Sequence, residues 1–303
     1  MDSVTNEDQL RDALQTYANE NRVGSLGNKT PIQMTKPIVI KQPGNDGFPW
    51  GVNANFLRCL WRGPGGQDMI TYQGSNGTSN RGLYVEKICM DGNGYSAAPA
   101  GNCLRVYAPD GDPGSIYKFT LRDVFTAYAT HGIMLSGAVF EGLMENCHAE
   151  NHNSDGIAME HLGMDGSAPW SIVSNIMIVH PNSSRNYGAG MRQVYSVNSV
   201  MGSYVLNALG GINAPDGLRA VMLSNGENTG EELFVLGSNG YGSITLGNEG
   251  STDGTSRCRK YENGQWVDKG KPMLYGTNNV GQYDLGNHIS YYGDGSQSPR
   301  WMK

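Results

Sequence analysis

The chain has 303 residues, a net charge of −6 and an isoelectric point near 5.5. Glycine accounts for 43 residues and charged residues for only 17%, which fits an all-β chain of many short strands joined by polar turns. The acidic balance argues against a nucleic-acid partner, which needs a basic face, and no run approaches the ~18 consecutive apolar residues of a membrane span.

The start, Met1-Asp2-Ser3-Val4-Thr5-Asn6-Glu7, has neither a basic n-region nor an apolar h-region, so it does not read as a signal peptide. A helix is expected over residues 5–20. Thr5 stands as its cap with Asp8 three residues on, and Leu10, Ala13, Leu14 and Tyr17 share one face. Two β-rich runs follow, Pro31-Ile32-Gln33-Met34 and Pro37-Ile38-Val39-Ile40.

A short phrase then recurs without being copied. Thr130-His131-Gly132-Ile133 returns as Ser154-Asp155-Gly156-Ile157, as Gly188-Ala189-Gly190-Met191 and as Pro215-Asp216-Gly217-Leu218. Looser copies lie at Gln67-Asp68-Met69-Ile70, Gly101-Asn102-Cys103-Leu104 and Tyr241-Gly242-Ser243-Ile244. Taking the last residue of each as equivalent gives gaps of 34, 29, 24, 34, 27 and 26 residues along the chain. Turn, short strand and a period of that size are the signature of a solenoid whose coils stack apolar faces. Coils are expected over about 30–250, in one domain spanning 1–303. The helix would shield the apolar first coil and its strand edge.

Residues 91–101 and 161–170 read as insertions that emerge as loops over one face. Residues 251–303 read as an irregular C-terminal cap with a hairpin at Asn263-Gly264 and an aromatic tail of Tyr275, Tyr283, Tyr291, Tyr292 and Trp301. The cysteines are five: Cys59, Cys89, Cys103, Cys147 and Cys258. They show no ligand spacing, so no structural zinc is expected. Cys89 and Cys147 read as equivalent small buried groups, with Val124 and Val179 in their places on other coils. His148, His152, His161 and His180 read as turn or surface residues.

The helix followed by strands at Ile32, Ile38 and Ile40, with Leu121-Arg122-Asp123-Val124 and Asn153-Ser154-Asp155-Gly156-Ile157, resembles the pectin lyase-like superfamily. That resemblance covers roughly residues 5–250. It implies an all-β fold, a single-stranded right-handed parallel β-helix, and a function among lyases, hydrolases, epimerases and phage tailspike depolymerases. Asn153-Ser154-Asp155-Gly156 is similar to the Asn-Thr-Asp-Gly motif of polygalacturonases, which would give Asp155 an acid/base role. The paired Asp-Asp, Gly-His-Gly and Arg-Ile-Lys of those enzymes are absent, as is the Asp-Pro-His of alginate epimerases.

Alternation along strands predicts the outward columns. One reads Thr71, Arg105, Met134, Ala158, Arg192, Arg219, Thr245. Two residues on, another reads Gln73, Tyr107, Ser136, Glu160, Val194, Val221, Gly247. The turn column reads Asp68, Asn102, His131, Asp155, Ala189, Asp216, Gly242. With coils ~4.8 Å apart, His131 and Asp155 become neighbours. These columns suggest a groove for an acidic sugar chain. Arg105, Arg192 and Arg219 offer guanidinium forks to carboxylates, and Tyr107 and Tyr195 offer rings to stack on sugars. β-Elimination of a uronate needs a base, His131 or Arg192, and a cation such as Arg105 or Arg219 to neutralise the carboxylate. Hydrolysis needs two carboxylates, for which Asp155 and Glu160 are the pair. No cofactor is expected, although the pattern allows a calcium ion bridging Asp155 and Glu160. Asp before Gly is also ordinary turn chemistry; Asp68 and Asp216 are given to that reading, and for Asp155 both stand.

The expected function is an extracellular enzyme, secreted or virion-associated, that cleaves an acidic polysaccharide by elimination. The alternatives are a glycoside hydrolase, an epimerase and a non-catalytic glycan-binding or structural β-helix such as a phage tail protein. A monomer or a homotrimer is expected, without nucleic acid or membrane.

Overall fold

The computed structural model describes residues 2–28, 30–42, 49–74, 80–109, 114–160, 173–188 and 190–192, and beyond these the strand backbones alone. The chain is an all-β parallel solenoid with one helix among the described residues. Nine parallel strands stack in chain order: Ile38–Lys41, Ile70–Gln73, Asn102–Ala108, His131–Gly137, Ile157–Glu160, Met191–Val194, Ile212–Ala214, Phe234–Leu236 and Leu274–Tyr275. A larger sheet, mostly parallel, forms the rest of each coil. No described helix is long and apolar enough to cross a membrane.

The helix runs Glu7–Asn19 and buries Leu10, Leu14, Tyr17 and Ala18. Its cap is Asn6 and not Thr5: the Asn6 carboxamide accepts from the Gln9 N–H at 2.9 Å, while Thr5 donates to the Gln9 side chain. The Asn6 carboxamide oxygen reaches the third amide from the cap position, as such caps do. Gln15 donates to the Lys41 carbonyl at 2.8 Å and accepts from the Lys41 N–H at 3.2 Å. Glu7 accepts from the Thr35 N–H at 2.5 Å and the Thr35 hydroxyl at 2.8 Å. The helix thus supplies the hydrogen bonds that the edge of the first coil would otherwise leave open.

Parallel register turns each sequence pattern into a column. Ile38, Ile70, Leu104, Ile133, Ile157 and Met191 pair in succession and all are buried. The column then departs from the sequence expectation. Met191 pairs with Ile212, and Ile212 with Phe234. Leu218 lies outside the described residues, and Ile244 belongs to the larger sheet, paired with Val221 and Tyr283. A Gly turn followed by an apolar strand marks any corner of a coil, so the Ile244 phrase belongs to another corner.

Those corners have a simple basis. In three successive coils, single residues adopt the left-handed conformation five positions apart: Lys118, Asp123 and Tyr128; Glu141, Asn146 and Asn151; Asn175, His180 and Arg185. Each bends the strand while the ladder continues, as in Asn146 N–H to Val179 O at 2.9 Å and Asn151 N–H to Ser184 O at 3.1 Å. Asn and Asp tolerate this conformation best, and the stacked Asn146 and Asp123 side chains are hydrogen-bonded at 2.5 Å.

Register also corrects the cysteine reading. Cys89 pairs with Phe125, which pairs with His148, so Cys89 sits in a column of partly exposed residues. Cys147 stands one position earlier, beside Val124, and is fully buried. Val179 pairs with Glu145. Burial pushes the thiols of Cys59 and Cys147 up to about 12, and the four described cysteines are unbridged. The expected hairpin forms as Arg259–Glu262 against Gln265–Asp268, antiparallel. Parallel pairing continues past residue 250, with Gln282–Asp284 on Ser243–Leu246 before the chain turns back antiparallel.

His152 is not a surface residue. It is fully buried, its Nδ1 accepts from the Ala129 N–H at 3.1 Å, and its Nε2 lies 3.2 Å from the Thr126 hydroxyl. The next coil continues the ladder. The His152 N–H donates to Asn186, which donates to Ser183, which donates to the Gly190 carbonyl. This ladder lies beneath the recurring glycines. A Cβ on Gly132 would meet Thr126, His152 and the Gly156 carbonyl; one on Gly156 would meet Ser183 and Asn186. Gly132→Ala and Gly156→Ala should each cost about 1–3 kcal/mol by overpacking, read by urea unfolding. Burial also pushes the His152 imidazole down to about 3. An unfolded His takes a proton near pH ~6.5, so this contribution is complete above that pH and is lost as pH falls toward 3. Stability should therefore fall by about 1.4 kcal/mol per pH unit below ~6.5 on this account. Chemical unfolding of the wild type and His152→Gln at several pH values measures it as the difference in slope.

Candidate functional site

The outer face of the nine-stranded sheet assembles the predicted columns as far as the sixth strand. Thr71, Arg105, Met134, Ala158 and Arg192 pair in succession, as do Gln73, Tyr107, Ser136, Glu160 and Val194. Beyond Arg192 the column holds Asn213. The position that the phrase spacing gives to Arg219 is thus held by Asn213, because the coil after Met191 returns sooner than that spacing implies. Arg219 and Tyr195 lie outside the described residues, as does the insertion at 161–170.

Two ionic clusters stand on this face. In the first, Arg105 donates from Nε to Ser136 at 3.0 Å and from Nη1 to Asp68 at 3.5 Å. Its guanidinium carbon lies 4.2 Å from the Tyr107 ring centroid, so one face of that ring is covered. Asp68 also accepts from the Asn102 side chain at 2.6 Å and the Asn102 N–H at 3.1 Å. In the second, Arg192 donates from Nε to Asp155 at 2.6 Å and from Nη2 to Glu160. His131 completes it, with Nδ1 3.6 Å from Asp155. The guanidinium of Arg192 thus occupies the place between the two carboxylates that a calcium ion would bridge. Among the described residues no group of three or more His, Cys, Asp or Glu could hold a metal.

The clusters share one construction. A turn-column Asp pairs with an Arg 37 residues on, in the next coil. Sequence reasoning gave Asp68 to turn chemistry and named Asn102 and Ser136 only as column members; the identical offsets were the signal that would have joined Asp68 to Arg105.

Asp155 is 4% exposed, so its charge needs a close counter-ion. Burial pushes the His131 imidazole below its ordinary value, with Asp155 opposing and Arg192 reinforcing the shift. His131 is neutral at neutral pH and able to take a proton. The Arg192 guanidinium is held above its ordinary value: burial acts against the charge, and the bonds to Asp155 and Glu160 outweigh it.

No model of a known family matches the chain, and no curated protein does. Among solved structures it is similar to the crystal structure of Dettilon tailspike protein, at 11% identity and a TM-score of 0.33, covering 91% of this chain. The chain spans 63% of that chain's length.

Replacing Arg192 removes the guanidinium bonded to a nearly buried Asp155. Arg192→Met should cost about 2–3 kcal/mol, somewhat less than a fully buried pair because the guanidinium is partly solvated. Adding Asp155→Asn should recover at least half of that loss, as measured by a double-mutant cycle in urea.

Proposed function

We propose that the outer face of the nine-stranded sheet binds a uronate-containing glycan and that the His131 cluster cleaves it by β-elimination. The observation that carries this reading is the placement of a neutral imidazole and a fixed guanidinium on the same carboxylate, Asp155. Elimination needs that combination: a base for the proton beside the carboxylate, and positive charge for the enolate-like transition state. His131 would take the C5 proton through Nε2, the C4–O bond would break, and the departing oxygen would receive a proton from the imidazolium or water. Arg192 fits the cationic role better than that of base, since its guanidinium is held protonated. Arg192 bonds through Nε and Nη2, and Arg105 through Nε and Nη1, so each keeps one terminal nitrogen uncommitted among the described residues. These nitrogens would receive the sugar carboxylates. Hydrolysis is less well supported, because it requires one of Asp155 and Glu160 to carry a proton while both accept from one guanidinium.

A second reading, a glycan-binding face without chemistry, has one observation in its favour. The two arginines face three carboxylates, Asp68, Asp155 and Glu160, so the face carries no surplus positive charge.

Incubation with a panel of acidic and neutral polysaccharides separates the two. Elimination yields reducing ends together with the ultraviolet absorbance of an unsaturated uronate. His131→Ala should lower kcat by about a hundredfold or more and leave Tm within a few degrees. The acid limb of kcat/KM should lie below the ordinary histidine value, because protonation at low pH removes the base. Binding without either product signal would support the second reading, and full activity in His131→Ala would overturn the assignment of the base.

A further inference from the structure

The candidate site holds two buried polar atoms that no hydrogen bond reaches, Nδ1 of His131 and Oδ1 of Asn102. They belong to residues paired directly across adjacent strands. Asn102 is 8% exposed and its carboxamide is fixed in orientation. Nδ2 donates to Asp68 at 2.6 Å, and an ionised carboxylate only accepts, so the NH2 end must face Asp68 and the carbonyl end must face away. That carbonyl lacks a donor, a costly state for a buried acceptor. On the other side, Nδ1 of His131 stands 3.6 Å from Asp155 Oδ2, another acceptor. The remaining charged or titratable groups that act on the ring are Arg192, Glu160, Asp68 and the buried His152. Arg192 is committed to Asp155 and Glu160. Nδ1 therefore sits among acceptors, while Nε2 is the nitrogen that meets solvent.

We propose that Asn102 is a positioning residue which, together with Asp155, holds neutral His131 in its Nδ1–H tautomer and so presents Nε2 as the free base on the outer face. A proton on Nδ1 would place a donor 3.6 Å from the Asp155 carboxylate, on the residue paired with Asn102, and a small turn of the ring would offer that donor to the unbonded Asn102 carbonyl. A proton on Nε2 would turn an Nδ1 lone pair toward the Asp155 carboxylate and leave the Asn102 carbonyl still without a donor. Asp68 acts one step further back, by locking the Asn102 amide. The role matters for cleavage only on the elimination reading above, but the tautomer itself is read without substrate.

His152 supplies an internal reference. Its Nδ1 accepts from the Ala129 N–H, so its proton is on Nε2 and donates to Thr126. Long-range correlation spectra of protein labelled with nitrogen-15 histidine, at a pH above both titrations, report each tautomer, with His131→Gln providing the assignment. The expected result is His131 as Nδ1–H in about tenfold excess or more, with His152 as Nε2–H. Asn102→Ala should lower the His131 excess by about threefold or more and leave the His152 pattern unchanged. Asp68→Ala, which frees the amide to flip, should act in the same direction and serves if Asn102→Ala does not fold. An Nε2–H majority at wild-type His131, or an unchanged ratio in both folded variants, overturns the proposal. An Nδ1–H majority that both variants weaken, with no product from any glycan, would sink the elimination reading and leave the positioning role standing.

Discussion

In-register parallel pairing between coils is the constraint on which everything else depends. Each coil donates and accepts main-chain hydrogen bonds with the coil on either side, so a residue's neighbours are fixed by its height along the strand and not by its type. Ile133 must meet Leu104 and Ile157, and His131 must meet Asn102. Apolar residues that alternate along one strand thereby become a continuous buried column. Polar residues on the other side become a continuous surface. A slip of one position would exchange the two sets, so the large interior residues hold the site in place: Tyr72, Trp50 and Trp61 are at most 1% exposed.

The coils can stack only if they turn at the same heights, and two devices ensure this. Left-handed single residues bend the larger sheet at intervals of five without interrupting its ladder. Where the chain enters the nine-stranded sheet, a polar ladder inside the solenoid takes over. Thr126, His152, Asn186 and Ser183 satisfy backbone groups that the turn leaves unpaired. This ladder needs room, and the room comes from glycine at positions 132 and 156. The glycine that makes the recurring phrase visible is therefore tied to the space that buried hydrogen bonding needs, since neither Gly132 nor Gly156 has a positive φ. His131 and Asp155 immediately precede these glycines, so the same turns that accommodate the ladder also place the candidate base and its carboxylate.

The sequence was most legible where one rule acted alone. Turn followed by apolar strand located the nine-stranded sheet from Ile70 to Met191, and alternation then placed Arg105, Glu160 and Arg192 on one face. It failed where one local pattern serves several places. Ile244 carries the same phrase as Ile157, but it belongs elsewhere because a coil has several corners built alike. Cys89 and Cys147 precede similar turns, yet they differ by one register position, and that single step separates a partly exposed side chain from a buried one. His152 looked like a turn residue because histidine is polar. Its burial depends on Asn186 and Ala129, which lie 34 and 23 residues away and cannot be paired with it from the sequence.

The pairing of Asp155 with Arg192 bears on why such a cluster is present. A buried ion pair contributes little net stability compared with apolar residues of similar volume, because desolvation offsets most of its attraction. The same face shows that apolar residues fit at these heights, since Met134 and Ala158 occupy the positions between the two arginines and are 5% and 0% exposed. Charge at Arg192 is thus not required by packing. Three charged groups and an imidazole gathered there cost more than they contribute to folding, and their constraint on one another is considerable: Asp155 touches both Arg192 and His131, and Arg192 also holds Glu160. Groups fixed in this way keep their dipoles and charges oriented before any ligand arrives, which is the condition for stabilising a charged transition state without reorganisation. On the proposed reading, that argument assigns the chemistry to the His131 cluster, whereas Arg105, lying over Tyr107 with a longer contact to Asp68, would serve to hold the chain in place.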